Sequence, residues 1–217
     1  MRSMDAVVTR FDLIRHGEPE GGRKFRGRTD DPLSREGWLQ MRQAVGDQAP
    51  WDVIVTSPLR RCREFATWLG AQHQIPVQEH EDLAELYLGQ WEGLTHAEAR
   101  QSFPAQADKP DGVTAFWTDP LLNPPPQGET LHDFDFRIRS VWKELAETYR
   151  GQHLLVVAHL FTCNFLLRQI LQQPIEKALF FDLPYAGLTR IRQEDTPYGS
   201  FSQVEWVGLT RLPALSV

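Results

Sequence analysis

Arg15-His16-Gly17 follows directly on the apolar run Phe11-Asp12-Leu13-Ile14. A neutral imidazole is a nitrogen nucleophile, and a guanidinium is a fixed fork of donors matched to phosphate oxygens. Glycine allows close backbone approach to a ligand. A second cluster, Ser57-Pro58-Leu59-Arg60-Arg61-Cys62-Arg63, places three arginines at a strand-to-helix turn, where free N–H groups and a positive dipole end suit an anion. His159 emerges from the apolar run Leu154 to Ala158, and Glu85 opens the stretch Glu85-Leu86-Tyr87-Leu88-Gly89-Gln90-Trp91-Glu92-Gly93. Each has an ordinary alternative: a surface histidine, routine helix-surface arginines, a satisfied core histidine and a solvated carboxylate.

The elements that would hold these groups are short apolar runs alternating with helical patterns. Phe11–Ile14, Val53–Val55 and Leu154–Val157 read as strands buried on both faces, because they lack clean alternation. Helical patterns run from Ser34, a candidate N-cap, to Gly46, and from Leu59 to Leu69 behind Pro58. Two more run from His132 to Tyr149 and from Phe161 to Leu171, the last apolar nearly all round. Strands at Leu188–Arg192 and Gln203–Val207 predict a closing hairpin or edge. The alternation predicts an α/β fold of three layers, α/β/α, on a mostly parallel sheet, whose ligands lie at strand carboxyl ends. Residues 94–130 interrupt the rhythm with six prolines and the aromatics Phe103, Phe116 and Trp117. They predict an ordered flap on a single domain spanning 1–217.

Composition narrows the classes. The 217 residues carry 23 Lys+Arg against 29 Asp+Glu, a formal net charge of −6, with 41% hydrophobic residues. A chain this long can bury about 70% of its unfolded surface, so it needs no disulfide or metal to fold. An acidic balance argues against nucleic acid or an anionic membrane as partner. Cys62 and Cys163 form no CxxC pair, and Met1 to Ala6 turns acidic before a leader could develop, so reduced thiols and a cytoplasmic location are expected. His80-Glu81 lacks the second histidine of a zinc helix, and no GxxxxGK or GxGxxG occurs. No metal or cofactor is expected.

Taken together, the four segments resemble the histidine phosphatase superfamily, with its phosphoglycerate-mutase-like fold, from Phe11 to about Arg192. Arg15-His16-Gly17 is similar to that family's nucleophile motif, and Ser57-Pro58-Leu59-Arg60-Arg61 to its Ser-Pro-Leu-x-Arg segment. Gly128-Glu129-Thr130 resembles its Gly-Glu-Ser/Thr element. The loop Gly27-Arg28-Thr29-Asp30-Asp31-Pro32-Leu33-Ser34 and the stretch Phe116-Trp117-Thr118-Asp119-Pro120 are most similar to the alpha-ribazole phosphatase and broad-specificity branch. The resemblance implies His16 as nucleophile, Arg15, Arg61 and His159 as catalytic phosphate ligands, and Glu85 as proton donor. It implies substrate contacts from Arg15, Gly17, Thr29, Arg61, His159 and Leu160. Two departures stand out: Gly22 where many members carry Asn, and Leu160 where many carry glycine. Leucine still offers a backbone N–H, but would be strained if the backbone there needs positive φ.

The chemistry so implied is metal-independent hydrolysis of a small phosphate monoester through a phosphohistidine, with alpha-ribazole 5′-phosphate as a specific candidate. Glu85 would need a raised pKa in the bound complex, with the push coming from the dianionic phosphate. A mutase would use the same residues while keeping water out, and a weak member would bind a phosphorylated ligand without turnover. The expected partner is a small phosphorylated metabolite; a homodimer is left open. Glu18 is the next carboxylate to consider should Glu85 fail as the acid.

Overall fold

The computed structural model describes residues 6–177 and 181–213. Met1 to Asp5, most of the segment read above for a leader, lie outside them. Among the described residues six strands form one sheet: β1 (Val7–Arg15), β2 (Val53–Thr56), β3 (Val77–Glu79), β4 (His153–Ala158), β5 (Leu188–Thr196) and β6 (Gly199–Leu209). Their spatial order is β3-β2-β4-β1-β5-β6. The first four run parallel, and β5 and β6 close the sheet as an antiparallel hairpin beside β1. The expected α/β fold on a mostly parallel sheet is what the chain adopts.

Continuous apolar strands arise because successive side chains feed opposite layers. Phe11, Leu13, Val53, Val55, Leu154 and Val156 pack into one core with Phe134, Ile138, Val141 and Phe165. These partners belong to α5 (Leu131–Thr148) and α6 (Leu160–Ile170). Ile14, Ile54, Leu155 and Val157 point the other way, onto Met41, Val45, Phe65 and Leu69. Those four lie on α1 (Arg35–Val45) and α2 (Arg60–His73). Ser34 caps α1 as expected, its Oγ accepting from the Gly37 amide at 3.0 Å. Leu160 to Arg168 of α6 are buried except Leu160 itself, in keeping with the all-round apolar pattern. Among the described residues no helix is long and apolar enough to cross a membrane.

The sequence reading misses β3, which is three residues long, and ends α2 four residues early. The proline-rich stretch 94–130 contains two short helices, α3 (His96–Ser102) and α4 (Gly112–Thr118). Phe116 is fully buried, while Trp117 beside it is 49% exposed.

One buried carboxylate ties the sheet together away from the strand ends. Asp12 on β1 accepts from Arg190 at 2.6 and 2.8 Å, from the Trp51 indole at 2.8 Å and from His153 Nε2 at 3.0 Å. Burial works to raise its pKa, but the bonds from Arg190 and His153 outweigh burial and hold it below the usual value. A lowered folded pKa means that this stabilisation is complete above the unfolded value and is lost as pH falls through the folded one. Asp12→Ala leaves Arg190, His153 and Trp51 without their shared acceptor, and should cost about 3 kcal/mol or more in denaturant unfolding. A cost under about 1 kcal/mol at neutral pH would show that the network contributes little.

Candidate active site

The carboxyl ends of β1, β2 and β4 lie side by side, and the chain leaves each of them into a group with chemistry. The His16 amide donates to Ala158 at 2.9 Å, and the Ser57 amide to Val157 at 3.0 Å. Beyond these ends is a cavity of about 970 Å³ whose lining includes Arg15, His16, Arg61, Glu85 and Leu160. Residues expected at one site from four distant segments are thus brought together.

His16 is buried, and its Nδ1 lies 2.7 Å from the Gly17 carbonyl. A carbonyl only accepts, so Nδ1 carries the proton and Nε2 holds the lone pair. Burial, then the nearby Arg61 and Arg15 charges, hold the His16 pKa well below its ordinary value. The ring is therefore neutral and nucleophilic at Nε2. His159 is also neutral, for reasons of burial and then Arg61, and its ring meets that of His16 edge-on at 5.2 Å. Its Nε2 is 2.7 Å from Ser57 Oγ.

Three expected contacts do not line the cavity. His159 is fully buried and does not belong to the lining. Gly17 is needed for packing: a Cβ there would sit 2.3 Å from the Gly37 carbonyl oxygen, and one on Gly37 would sit 2.0 Å from Glu18 O. Thr29 turns its hydroxyl toward Glu92 at 3.4 Å, while its carbonyl accepts from Arg61.

Arg61 is 1% exposed and rigidly held, donating to the carbonyls of Thr29 at 2.8 Å and Gly27 at 2.7 Å. Arg15 donates to the Leu183 carbonyl and lies 4.3 Å over the Tyr185 ring. The Nε atoms of both arginines are buried and find no acceptor among the described residues. Burial lowers both guanidinium pKa values, yet arginine remains charged in proteins. Arg60 and Arg63 are the routine surface residues of the cluster, facing Glu64 at 2.8 Å and Glu79 at 3.9 Å. The start of α2 is not a vacant anion site, because Asp30 Oδ1 already accepts from the Arg60 amide at 2.6 Å.

Glu85 is no solvated carboxylate. Its Oε2 accepts from the Phe161 amide at 3.2 Å, and Oε1 from the Thr162 and Leu86 amides, each at 3.2 Å. Burial raises its pKa against the pull of Arg61 and these amides. Desolvation by burial thus already pushes in the direction that a proton donor needs. Arg137 holds the preceding backbone, donating to the carbonyls of Ala84 at 2.8 Å and Glu85 at 3.1 Å. Glu129, from the Gly-Glu-Thr element, accepts from Arg137 at 2.7 and 3.0 Å.

The two opposite shifts matter together. With ordinary values of 6.5 for histidine and 4.5 for glutamate, the combination of neutral His and protonated Glu is the minority form, about one per cent. Burial moves each group in the direction that populates that form.

The departures from the family pattern have local accounts. Leu160 opens α6 and is not among the residues with positive φ, so it carries no backbone strain. At Gly22, its carbonyl accepts from Arg26 at 2.8 Å, and Arg26 itself lines the cavity. The sequence reading misses Tyr185, Asp182 and Arg26 as lining residues, because each depends on where a loop folds back.

Comparison with known proteins agrees with this geometry. Residues 11–201 match the family model described as histidine phosphatase superfamily (branch 1). The chain is 33% identical over 165 residues to the bifunctional protein Rv2228c of Mycobacterium tuberculosis, covering 74% of this chain and 43% of that protein. It thus spans less than half the length of that relative and of its two mycobacterial counterparts. The uncharacterized phosphatase PhoE of Bacillus subtilis is 30% identical over 168 residues, 75% of this chain and 78% of that one. The solved structure of Bacillus stearothermophilus YhfR superposes with a TM-score of 0.78 at 28% identity, over 91% of this chain and 96% of the other. Relatives named as an adenosylcobalamin/alpha-ribazole phosphatase and as a 2,3-bisphosphoglycerate-dependent phosphoglycerate mutase are similar as well. With a match that runs through both strand-end histidines, the chain belongs to the histidine phosphatase superfamily.

Proposed function

We propose that the chain hydrolyses small phosphate monoesters through a phosphohistidine on His16. One observation carries the reading: His16, tied at Nδ1, shares a cavity with two arginines whose buried Nε–H groups find no acceptor among the described residues. Such donors suit the equatorial oxygens of a phosphoryl group, whose loose transition state depends on positioning and positive charge. His16 Nε2 attacks phosphorus as the ester P–O bond breaks, and Glu85 gives its proton to the departing oxygen. Glu85 then takes a proton from water as that water's oxygen attacks the phosphohistidine; the P–N bond breaks and inorganic phosphate leaves. The scheme calls on protein groups and water alone. Alpha-ribazole 5′-phosphate is the specific substrate put forward, supported by the loops at 27–34 and 116–120 and by a relative's name.

The test is release of inorganic phosphate from p-nitrophenyl phosphate in the presence of EDTA, with vanadate as inhibitor. Full activity in the chelator and inhibition by vanadate are expected, because five-coordinate vanadate imitates the transferring group. Loss in EDTA with recovery on adding a divalent metal would overturn the metal-free scheme. Phosphoryl transfer between alcohols without phosphate release would favour a mutase.

A further inference from the structure

The cavity of about 970 Å³ is far larger than a phosphoryl group, and beside Arg23, Lys24 and Arg26 its lining includes the large aromatics Trp117 and Phe161. Direction follows from the acid. Because Glu85 protonates the leaving oxygen, the alcohol's carbon body lies on the Glu85 side of phosphorus. The residue bonded to Glu85 Oε2 through its amide is Phe161, which is 8% exposed and lines the cavity. Beyond it stands Trp117 of the flap helix α4, its ring 6.3 Å from that of Phe161 and inclined by only 28°. Leu88 adds to the same lining. Trp117 is 49% exposed although its neighbour Phe116 is fully buried. A large half-exposed aromatic facing a cavity, beside a charged reaction centre, is the pattern of a recognition surface.

We propose that Trp117 and Phe161 form the leaving-group subsite, and that the chain acts on phosphate monoesters whose alcohol carries a ring. This rests on the phosphatase reading for its orientation but not for its test. The experiment compares 3-phenylpropyl phosphate with propyl phosphate, whose leaving alcohols are nearly equal in pKa, so the role of the acid cancels. In parallel, calorimetry measures binding of 3-phenylpropylphosphonate and propylphosphonate, which need no turnover. The phenyl-bearing compounds should be favoured about ten- to a hundred-fold in kcat/KM and in affinity, the range expected for burying one aromatic ring. Trp117→Ala should collapse that ratio toward one, and Trp117→Phe should keep most of it. Equal affinities of the two phosphonates for the unmodified chain, or no binding of either, would overturn the proposal without any variant. A ratio unchanged in Trp117→Ala would overturn the assignment to Trp117. If no ester is turned over while the phosphonates still discriminate, the phosphatase reading fails and the subsite stands.

Discussion

His16→Ala should remove the covalent intermediate and lower kcat by at least about 10⁴-fold, the scale seen when one member of a nucleophilic unit is deleted. The structure supplies the reason for so large a loss. Nε2 is a ring-nitrogen lone pair set up by a fixed partner, the Gly17 carbonyl at 2.7 Å from Nδ1. His159 cannot take over, because it is fully buried and its Nε2 is engaged with Ser57 at 2.7 Å. Labelled substrate quenched without acid should leave an acid-labile, base-stable phosphate on His16 of the unmodified chain. Turnover by that chain with no such adduct, or by the alanine variant at a comparable rate, would sink the proposal. The pH profile carries the same signature. His16 is held well below its ordinary value of 6.5, so kcat/KM should stay high below pH 6.5 and fall only as pH drops through the depressed value.

Glu85→Gln should lower kcat/KM for alkyl phosphates by about 10²–10⁴-fold, the usual contribution of general acid catalysis. An alkoxide is costly to expel unprotonated, whereas nitrophenolate leaves unaided, so p-nitrophenyl phosphate should lose far less. The comparison belongs in kcat/KM, because a missing base in the second step would depress kcat for both. Glutamine keeps the shape but turns an amide donor toward one of the Phe161, Thr162 or Leu86 N–H groups. A modest fall in thermal stability should accompany the kinetic change. Equal small effects on both esters would move the acid elsewhere. Glu18 is then a poor successor, since it is exposed and does not line the cavity, whereas Asp182 does.

His16, Arg61 and His159 were legible because each follows the end of an apolar strand, and such ends leave marks in short sequence windows. Ser34 and Thr130 mark helix starts that the structure keeps, with Thr130 Oγ1 accepting from Asp133 at 3.1 Å. The flap helix α3 carried a mark too, the Thr95-x-x-Glu98 capping box, hidden among prolines. Strand β3 had no such mark, being a three-residue strand at the sheet edge without a buried side chain. What short windows could not carry was who faces whom. Thr29, Gly17 and His159 stand in the right segments, yet one holds Arg61 through its carbonyl, one packs on Gly37 and one is buried edge-on against His16. Tyr185 reaches Arg15 across some 170 positions of sequence, a juxtaposition set by β5 pairing with β1.

The carboxylate of Glu85 also closes the first turn of α6, taking the amides of Phe161 and Thr162 at 3.2 Å. A helix start stabilised by an anion loosens when that anion is neutralised. Each time Glu85 gains its proton, two amides at the head of a buried helix lose much of their acceptor, and each time it gives the proton up they recover it. Hydrogen exchange at Phe161 and Thr162 should therefore quicken as Glu85 protonates and slow as it ionises, so that two backbone positions report the charge of the acid without any substrate present.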